Sequence, residues 1–314
     1  MVYNQFPSNA TENIMKAMIL AAGLGTRLRP LTLKRPKALV PVGNRPMIDQ
    51  VIHYLRTYGV DALIVNAHHL YRQMLSHLNC GRAFGVDIHV VVEPRILGTG
   101  GGIKNTEGFW DPGPFIVINS DILTDIDLGA AFRAHQERHS LATLILHDRG
   151  PFNQVRVNGD LDILNIAPAA GPGRLAFTGI HILEPELLAH IPRGQPSNII
   201  DCYRKLITEG YPIRAWVSTG HYWRDAGTIR SYLRANQETL KGRQRLCGRR
   251  PRIHASAVIR DWAVIGDNVT LEAEAEVARS VLWEGVTVRQ GFRVADSIVT
   301  SCQIIDKDLE GDIL

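Results

Sequence analysis

MILAAGLGTRLRPLTLKRPKALVPV, Met18 to Val42, opens within the apolar run Ala17–Ala21 and then breaks at two glycines two positions apart, Gly23 and Gly25. The run reads as a buried strand. The glycines permit positive φ and leave backbone N–H groups uncovered, so the turn after the strand can receive an anion on several amides at once. Arg27, Arg29, Arg35 and Lys37 follow closely. Fixed amides and mobile cations are therefore expected to converge on a polyphosphate, with Ala21, Ala22, Gly23, Gly25, Thr26 and Arg27 around it. The turn is not a P-loop, because no Gly-Lys-Ser/Thr follows, and it lacks the third glycine of the dinucleotide fingerprint.

Outward from this stretch the chain alternates strands and helices. Pro46 opens a helix with Ile48, Val51, Ile52 and Leu55 on one face, stopped by Gly59. Ala62–Val65 reads as a strand, about Leu70 to Leu78 as a helix, and Ile88–Val92 as another strand. This spacing predicts parallel βαβ units and an α/β fold with a doubly wound, mostly parallel sheet, whose ligands sit beyond the carboxyl ends of the strands. Glu93 follows the strand Ile88–Val92, and then comes Leu97-Gly98-Thr99-Gly100-Gly101-Gly102. Its glycines suit either close backbone approach to a flat ligand or a flexible hairpin. Phe115–Ile118 is a central strand running into Asn119-Ser120-Asp121, and a carboxylate at that tip, facing the Gly23 turn, is placed to hold Mg²⁺. Asp125 and Asp127 read as turn and N-cap residues of a helix from Leu128 to Arg138. Ala142–Leu146 is the next strand, a hairpin follows near Asn158-Gly159, and Ser197 caps a helix ending at Gly210. Asp225 by itself is either a ligand or the residue that starts the helix Ile229–Leu240.

The string Leu20-Ala-Ala-Gly-Leu-Gly-Thr-Arg-Leu-Arg-Pro-Leu-Thr32, with Pro36-Lys-Ala-Leu-Val-Pro-Val42, closely resembles the signature of the sugar-1-phosphate nucleotidyltransferases, the NDP-sugar pyrophosphorylases. The resemblance runs from about Lys16 to Leu240 and includes Trp223-Arg-Asp225-Ala-Gly-Thr228. It implies a Rossmann-like nucleotidyltransferase domain over residues 15–240 that makes an NDP-sugar and pyrophosphate from an NTP and a sugar 1-phosphate. It further implies Asp121 and Asp225 as the two Mg²⁺ ligands and Glu93, Gly98 and Thr99 as the base-reading segment. By the same resemblance Lys37 binds the sugar phosphate, Thr178 and Gly179 contact the sugar (a plain buried strand being the other reading), and Arg27, Lys37, Asp121 and Asp225 form the catalytic set. Two departures stand out. Ser120 replaces the glycine of the usual Asn-Gly-Asp, and Ile163–Pro168 carries no charge where many relatives have Phe-x-Glu-Lys-Pro. An ionised Glu93 accepts two hydrogen bonds, which suits the paired N1–H and N2–H of guanine better than the single N–H of uracil or thymine. That favours GTP, and Asn119–Leu128 also resembles mannose-1-phosphate guanylyltransferases. The alternatives are uridylyl or thymidylyl transfer to another sugar 1-phosphate, or a non-catalytic nucleotide-sugar-binding regulatory paralogue.

Residues 241–252 form a basic stretch read as a linker, and beyond them the apolar period becomes six. Ile253, Ile259, Ile265, Leu271, Val277 and Trp283 fall six apart, as do Leu282, Val288 and Val294. Hexads predict a short left-handed parallel β-helix over residues 253–314. Its open end needs a partner, so homo-oligomerisation through this tail is expected. Every proposed ligand lies before Leu240, so removing Arg252–Leu314 is expected to leave catalysis measurable. His254 is a candidate base for acetyl transfer, but the tail is short for an acyl-CoA groove and a structural histidine is the plainer reading.

Composition fits this picture. The 314 residues carry a mild net charge of +4, with no basic tract or aromatic–basic interleaving of the kind that binds nucleic acid. No apolar run reaches membrane-spanning length, and Cys80, Cys202, Cys247 and Cys302 are scattered without CxxC spacing. Reduced thiols in a cytoplasmic enzyme are expected. Residues 1–14 are polar and expected to be a disordered extension.

Overall fold

Alternate residues of the first strand go to opposite faces: Ala17 and Ile19 join one hydrophobic core and Met18 the other, all fully buried. An unbroken apolar run, here Ala17–Leu20, is what a sheet covered on both sides requires. The structure is a computed structural model that describes residues 15–314, so the extension expected over residues 1–14 lies outside the described residues.

Four strands of a nine-stranded sheet, Phe115–Asn119, Met15–Leu20, Val60–Ala67 and, at the edge, Asp87–Val92, lie side by side and parallel. Leu175–Leu183 runs antiparallel to Phe115–Asn119 on one side and to Ala142–His147 on the other, and Ile213–Ser218 is parallel to the latter. The architecture is therefore mixed α/β with a parallel-dominated sheet. Helices Met47–Thr57, Tyr71–Leu78 and Leu128–Glu137 cover one face, and Gly98–Lys104 and Ile199–Thr208 the other. Met47–Thr57 buries Ile48, Val51, Ile52 and Leu55 as its periodicity predicts. Asp127 caps Leu128–Glu137 by accepting from Ala130 N at 2.9 Å. The cap of Ile199–Thr208 falls on Asn198, one residue after the expected Ser197. Leu20 stands opposite both Asn66 and Asn119, so two asparagines flank it at the carboxyl ends of the central strands, Asn66 one residue before the end of its own.

The glycine run after Glu93 is neither an open loop nor a hairpin, since Gly98–Lys104 is helical. Its glycines are spacers. A Cβ on Gly101 would lie 2.6 Å from the Gln195 carbonyl oxygen, and one on Gly102 would lie 2.8 Å from Asn66 Nδ2. Glycine costs about 1 kcal/mol per helical residue relative to alanine, and here it is the residue that lets the helix bed against residues 195–198.

Beyond the sheet, the chain winds through three parallel ladders. Arg252–Ile253 pairs with Thr270–Leu271, which pairs with Thr287–Val288; Ile259 pairs with Val277 and Val277 with Val294. The third ladder begins earlier than expected, because Arg245–Cys247, assigned to the linker, already pairs with Ala263–Ile265. The two hexad series collide at residues 282 and 283. Leu282 pairs with Ile265 and enters the interior of the coils, whereas Trp283 turns outward into a core shared with the first domain. That core joins Val264, Val281, Trp283 and Ile298 to Leu28, Leu31, Val40, Val42 and Tyr232.

Candidate active site

The turn after Met15–Leu20 is braced from within. Gly25 sits at φ 64°, and a Cβ there would lie 2.8 Å from Thr32 Cγ2. The Thr32 hydroxyl donates to the Gly25 carbonyl at 2.8 Å, and His69 Nε2 donates to the Thr32 carbonyl at 3.0 Å. Among the described residues, the amides of 22–27 donate to no acceptor of the chain, while the Ala21 amide is taken by Asn66 Oδ1 at 2.8 Å. The turn thus keeps a row of free donors after Ala21, as an anion nest requires.

Below the turn, Lys37 Nζ donates to Asp121 Oδ2. Asp121 is 6% exposed, and its own carbonyl accepts from Ala226 N at 3.0 Å, which ties it to the Asp225 turn. Asp225 Oδ1 accepts from Gly227 N at 2.6 Å, and Arg27 Nη2 approaches Asp225 Oδ2 at 4.0 Å. Burial opposes charge on Asp121, but the Lys37 ammonium more than offsets it and holds that carboxyl below its ordinary range. Burial, followed by the neighbouring Asp121 charge, pushes Asp225 up to about 6. Two crowded carboxylates beside one lysine are electrostatically incomplete, which is the condition a divalent cation relieves. A Cβ on Gly227 would fall 2.6 Å from Asp225 Oδ1, 2.9 Å from Asp121 Oδ2 and 3.0 Å from Lys37 Nζ, so only glycine leaves this cluster open.

The cluster opens on a cavity of about 240 Å³. Of the residues singled out from sequence, Ala21, Ala22, Gly23, Arg27, Lys37, Gly98, Thr99, Asp121 and Asp225 line it. Asn66, Ile96 and Asn119 also line it and were not foreseen as site residues. The signal for the asparagines was present in a polar residue closing an apolar strand, Val65-Asn66 and Ile118-Asn119.

Four expectations are corrected. Glu93 is 1% exposed and does not line the cavity; its Oε1 accepts from Asn66 Nδ2 at 2.7 Å and its Oε2 from Leu97 N at 3.0 Å. It anchors the turn before Gly98 and is buried away from the cavity. The Thr178 side chain is fully buried, with its hydroxyl donating to the Ile145 carbonyl at 2.8 Å, so it makes no sugar contact. Gly179 lies outside the cavity; at φ 79°, a Cβ there would sit 2.5 Å from Asn119 Nδ2, so its role is to leave room for that side chain. Arg35 does not join the phosphate cations, because its guanidinium is bound to Glu284.

Glu93→Gln is therefore expected to lower stability rather than alter base choice. If the new amide NH₂ faces Leu97 N, two donors meet. If it faces Asn66 instead, Asn66 must flip, and its own NH₂ then confronts the Ala21 amide. Either arrangement leaves a buried donor without an acceptor, at about 1–3 kcal/mol. Denaturant unfolding should show that loss with an unchanged ratio of kcat/KM between nucleotides, and a changed ratio with unchanged stability would restore Glu93 to the base.

A sequence profile described as Nucleotidyl transferase matches residues 16–242. The UTP–glucose-1-phosphate uridylyltransferase of Synechocystis sp. is 34% identical over 247 residues, 72% of this chain and 63% of that protein, so the chain spans less than two thirds of that relative. The N-acetylmuramate alpha-1-phosphate uridylyltransferase of Neisseria meningitidis is 36% identical over 68% of this chain and 94% of its own length. The mannose-1-phosphate guanylyltransferase of Mycobacterium tuberculosis is 27% identical over 88% of this chain and 80% of its own. Among the described residues no helix is long and apolar enough to cross a membrane.

Proposed function

This chain belongs to the nucleotidyl transferase family, and from that premise we propose that it transfers a uridylyl group from UTP to a sugar 1-phosphate with release of pyrophosphate. One observation carries the reading: Lys37, Asp121 and Asp225 converge beneath a turn whose amides are free, within a single cavity.

The reaction needs no side-chain nucleophile. A sugar phosphate has a second pKa near ~6 and is already largely dianionic at neutral pH. One of its oxygens attacks the α-phosphorus, the bond from that phosphorus to the bridging oxygen breaks, and pyrophosphate leaves with the electron pair. The protein's task is to hold two mutually repelling anions in line and to receive the charge that develops on the leaving group. The amides of residues 22–27 and the exposed Arg27 guanidinium receive the β- and γ-phosphates. Lys37, fixed by Asp121, steadies the attacking phosphate. Asp121 and Asp225 would hold Mg²⁺, and the donor set fits that ion: two neighbouring carboxylates line one cavity, and Mg²⁺ is satisfied by one or two carboxylates with water and phosphate oxygens. When bound, the ion supplies positive charge against the phosphates.

The choice of UTP over GTP departs from the sequence reading. With Glu93 buried outside the cavity and turned to Asn66 and Leu97, the acceptor that favoured guanine's N1–H and N2–H is withdrawn from this reading. The relatives named for uridylyl transfer stand at 34% and 36% identity against 27% for the guanylyltransferase. The parallel ladders support reading the C-terminal coils as a short β-helix.

Pyrophosphate release measured with UTP, GTP, dTTP, ATP and CTP against a panel of sugar 1-phosphates tests this. UTP is expected to exceed GTP in kcat/KM by about tenfold or more with the preferred sugar. A GTP preference would reverse the base assignment, and no release with any pair would overturn the function.

A further inference from the structure

Arg35 stands two residues before Lys37, yet its guanidinium leaves the cavity and reaches the C-terminal coils. Nη2 pairs with Glu284 Oε1 and donates to Ser301 Oγ at 2.9 Å, and the Ser301 hydroxyl donates in turn to Glu284 Oε1 at 2.5 Å. The guanidinium carbon lies 4.5 Å from the centre of the Trp283 ring. Trp283 Nε1 donates to the Tyr232 hydroxyl at 2.9 Å, within the core shared by the two parts of the chain. Tyr232 is fully buried in the first turn of helix Ile229–Thr239, whose N-cap Thr228 follows closely on Asp225. One coil therefore grips both the turn that carries Lys37 and the helix that starts behind Asp225.

We propose that Arg35, Glu284, Ser301 and Trp283 form a positioning clamp through which the C-terminal coils set the place of Lys37 in the active site. Between the clamp and the Lys37 backbone there is little slack. Pro36 holds φ at −55°, and Lys37–Leu39 closes at once into a 3₁₀ turn with Leu39 N on the Pro36 carbonyl at 2.9 Å. A shift of Arg35 is thus passed to Lys37, whose Nζ must meet both Asp121 and the attacking phosphate. The clamp is stronger than an ordinary surface ion pair. Its side chains are 24% and 41% exposed, the carboxylate accepts from two partners, and the cation lies over an indole face. Arg35, Glu284, Ser301 and Trp283 all lie outside the cavity, so each acts through Lys37.

This inference rests on the proposed binding of the attacking phosphate by Lys37, and the test separates the two. In the full-length protein, Glu284→Gln keeps the size of the side chain and removes its charge. It is expected to raise KM for the sugar 1-phosphate about tenfold while changing KM for UTP less than twofold. Amide hydrogen exchange should quicken about tenfold in a peptide covering residues 33–40 and stay unchanged in the strand Met15–Leu20. Arg35→Ala should reproduce both effects. Wild-type exchange in residues 33–40 would overturn the clamp, as would a loss spread equally over both substrates and the whole chain. If the wild-type protein releases no pyrophosphate with any nucleotide, the functional reading fails, and the exchange result still decides whether the C-terminal coils hold the Lys37 turn.

Discussion

Asp121→Asn is expected to lower turnover by at least about 10²-fold while the protein remains folded. The amide is nearly isosteric, and its carbonyl can still accept from Lys37 Nζ, so the packing around a residue 6% exposed is retained. What disappears is the negative charge. Lys37 keeps a weaker counterpart in Asp225, which feels the Lys37 charge directly. Loss of one partner of a well-buried ion pair costs about 3–5 kcal/mol, and the 17% exposure of the Lys37 side chain keeps this case at or below the low end. That is within the 5–15 kcal/mol by which domains are ordinarily stable. Chemistry has no such reserve in the proposed mechanism, where the same carboxylate would both hold Lys37 and supply half of the side-chain charge offered to a divalent ion. Steady-state pyrophosphate release at saturating Mg²⁺, with circular dichroism as the check on folding, measures the effect. Turnover within about threefold of wild type would remove Asp121 from the machinery.

What was legible in the sequence is what repeats locally. Ile48, Val51, Ile52 and Leu55 declare a buried helical face, and Ala17 to Leu20 a doubly covered strand, because the periods of helix and strand act over a few neighbouring residues. The meeting of the Gly23 turn with Asp121 at one cavity was legible for a related reason: a glycine pair and an aspartate at the ends of apolar runs fall where strands stop. Apart from the cap at Asn198, one residue from the expected Ser197, the misreadings involve a partner remote in the chain or a direction along a side chain. The glycines from Gly98 read as a ligand-approaching loop or a hairpin, and the reason a helix forms there lies in the distant segment 195–198. Glu93 was placed correctly at a strand end, but nothing nearby says that it turns toward Asn66 and Leu97. Arg35 read as a phosphate cation because of its neighbours, while its carboxylate lies 249 residues further on. At Trp283 two valid hexad series disagree by one residue, and only the hydrophobic surface around Tyr232 decides which side chain goes outward.

Deleting Arg252–Leu314 is expected to destroy the fold of the remainder, against the sequence expectation that the tail serves assembly and can be removed with catalysis intact. The deleted segment supplies Val264, Val281, Trp283 and Ile298 to a core whose other side is Leu28, Leu31, Val40, Val42, Met47 and Tyr232. All ten of these residues are at most 3% exposed. Fully burying one large apolar side chain contributes about 1.5–3 kcal/mol. If truncation returns even half of that at each of the six left behind, the loss is about 5–9 kcal/mol, comparable with the whole stability of an ordinary domain. The bared surface would be contiguous, a condition that favours aggregation. Arg35 and Asn44 would lose Glu284 and the Ile265 carbonyl at the same time, freeing the turns on either side of Lys37. Soluble yield, light scattering and thermal unfolding of the truncated protein measure the outcome, with Trp283→Ala as a milder counterpart expected to cost about 3–5 kcal/mol. A monodisperse truncated protein melting within about 5 °C of the full chain would mean that the shared core stabilises by less than roughly 1–2 kcal/mol, and the C-terminal coils would then be separable from the catalytic domain after all.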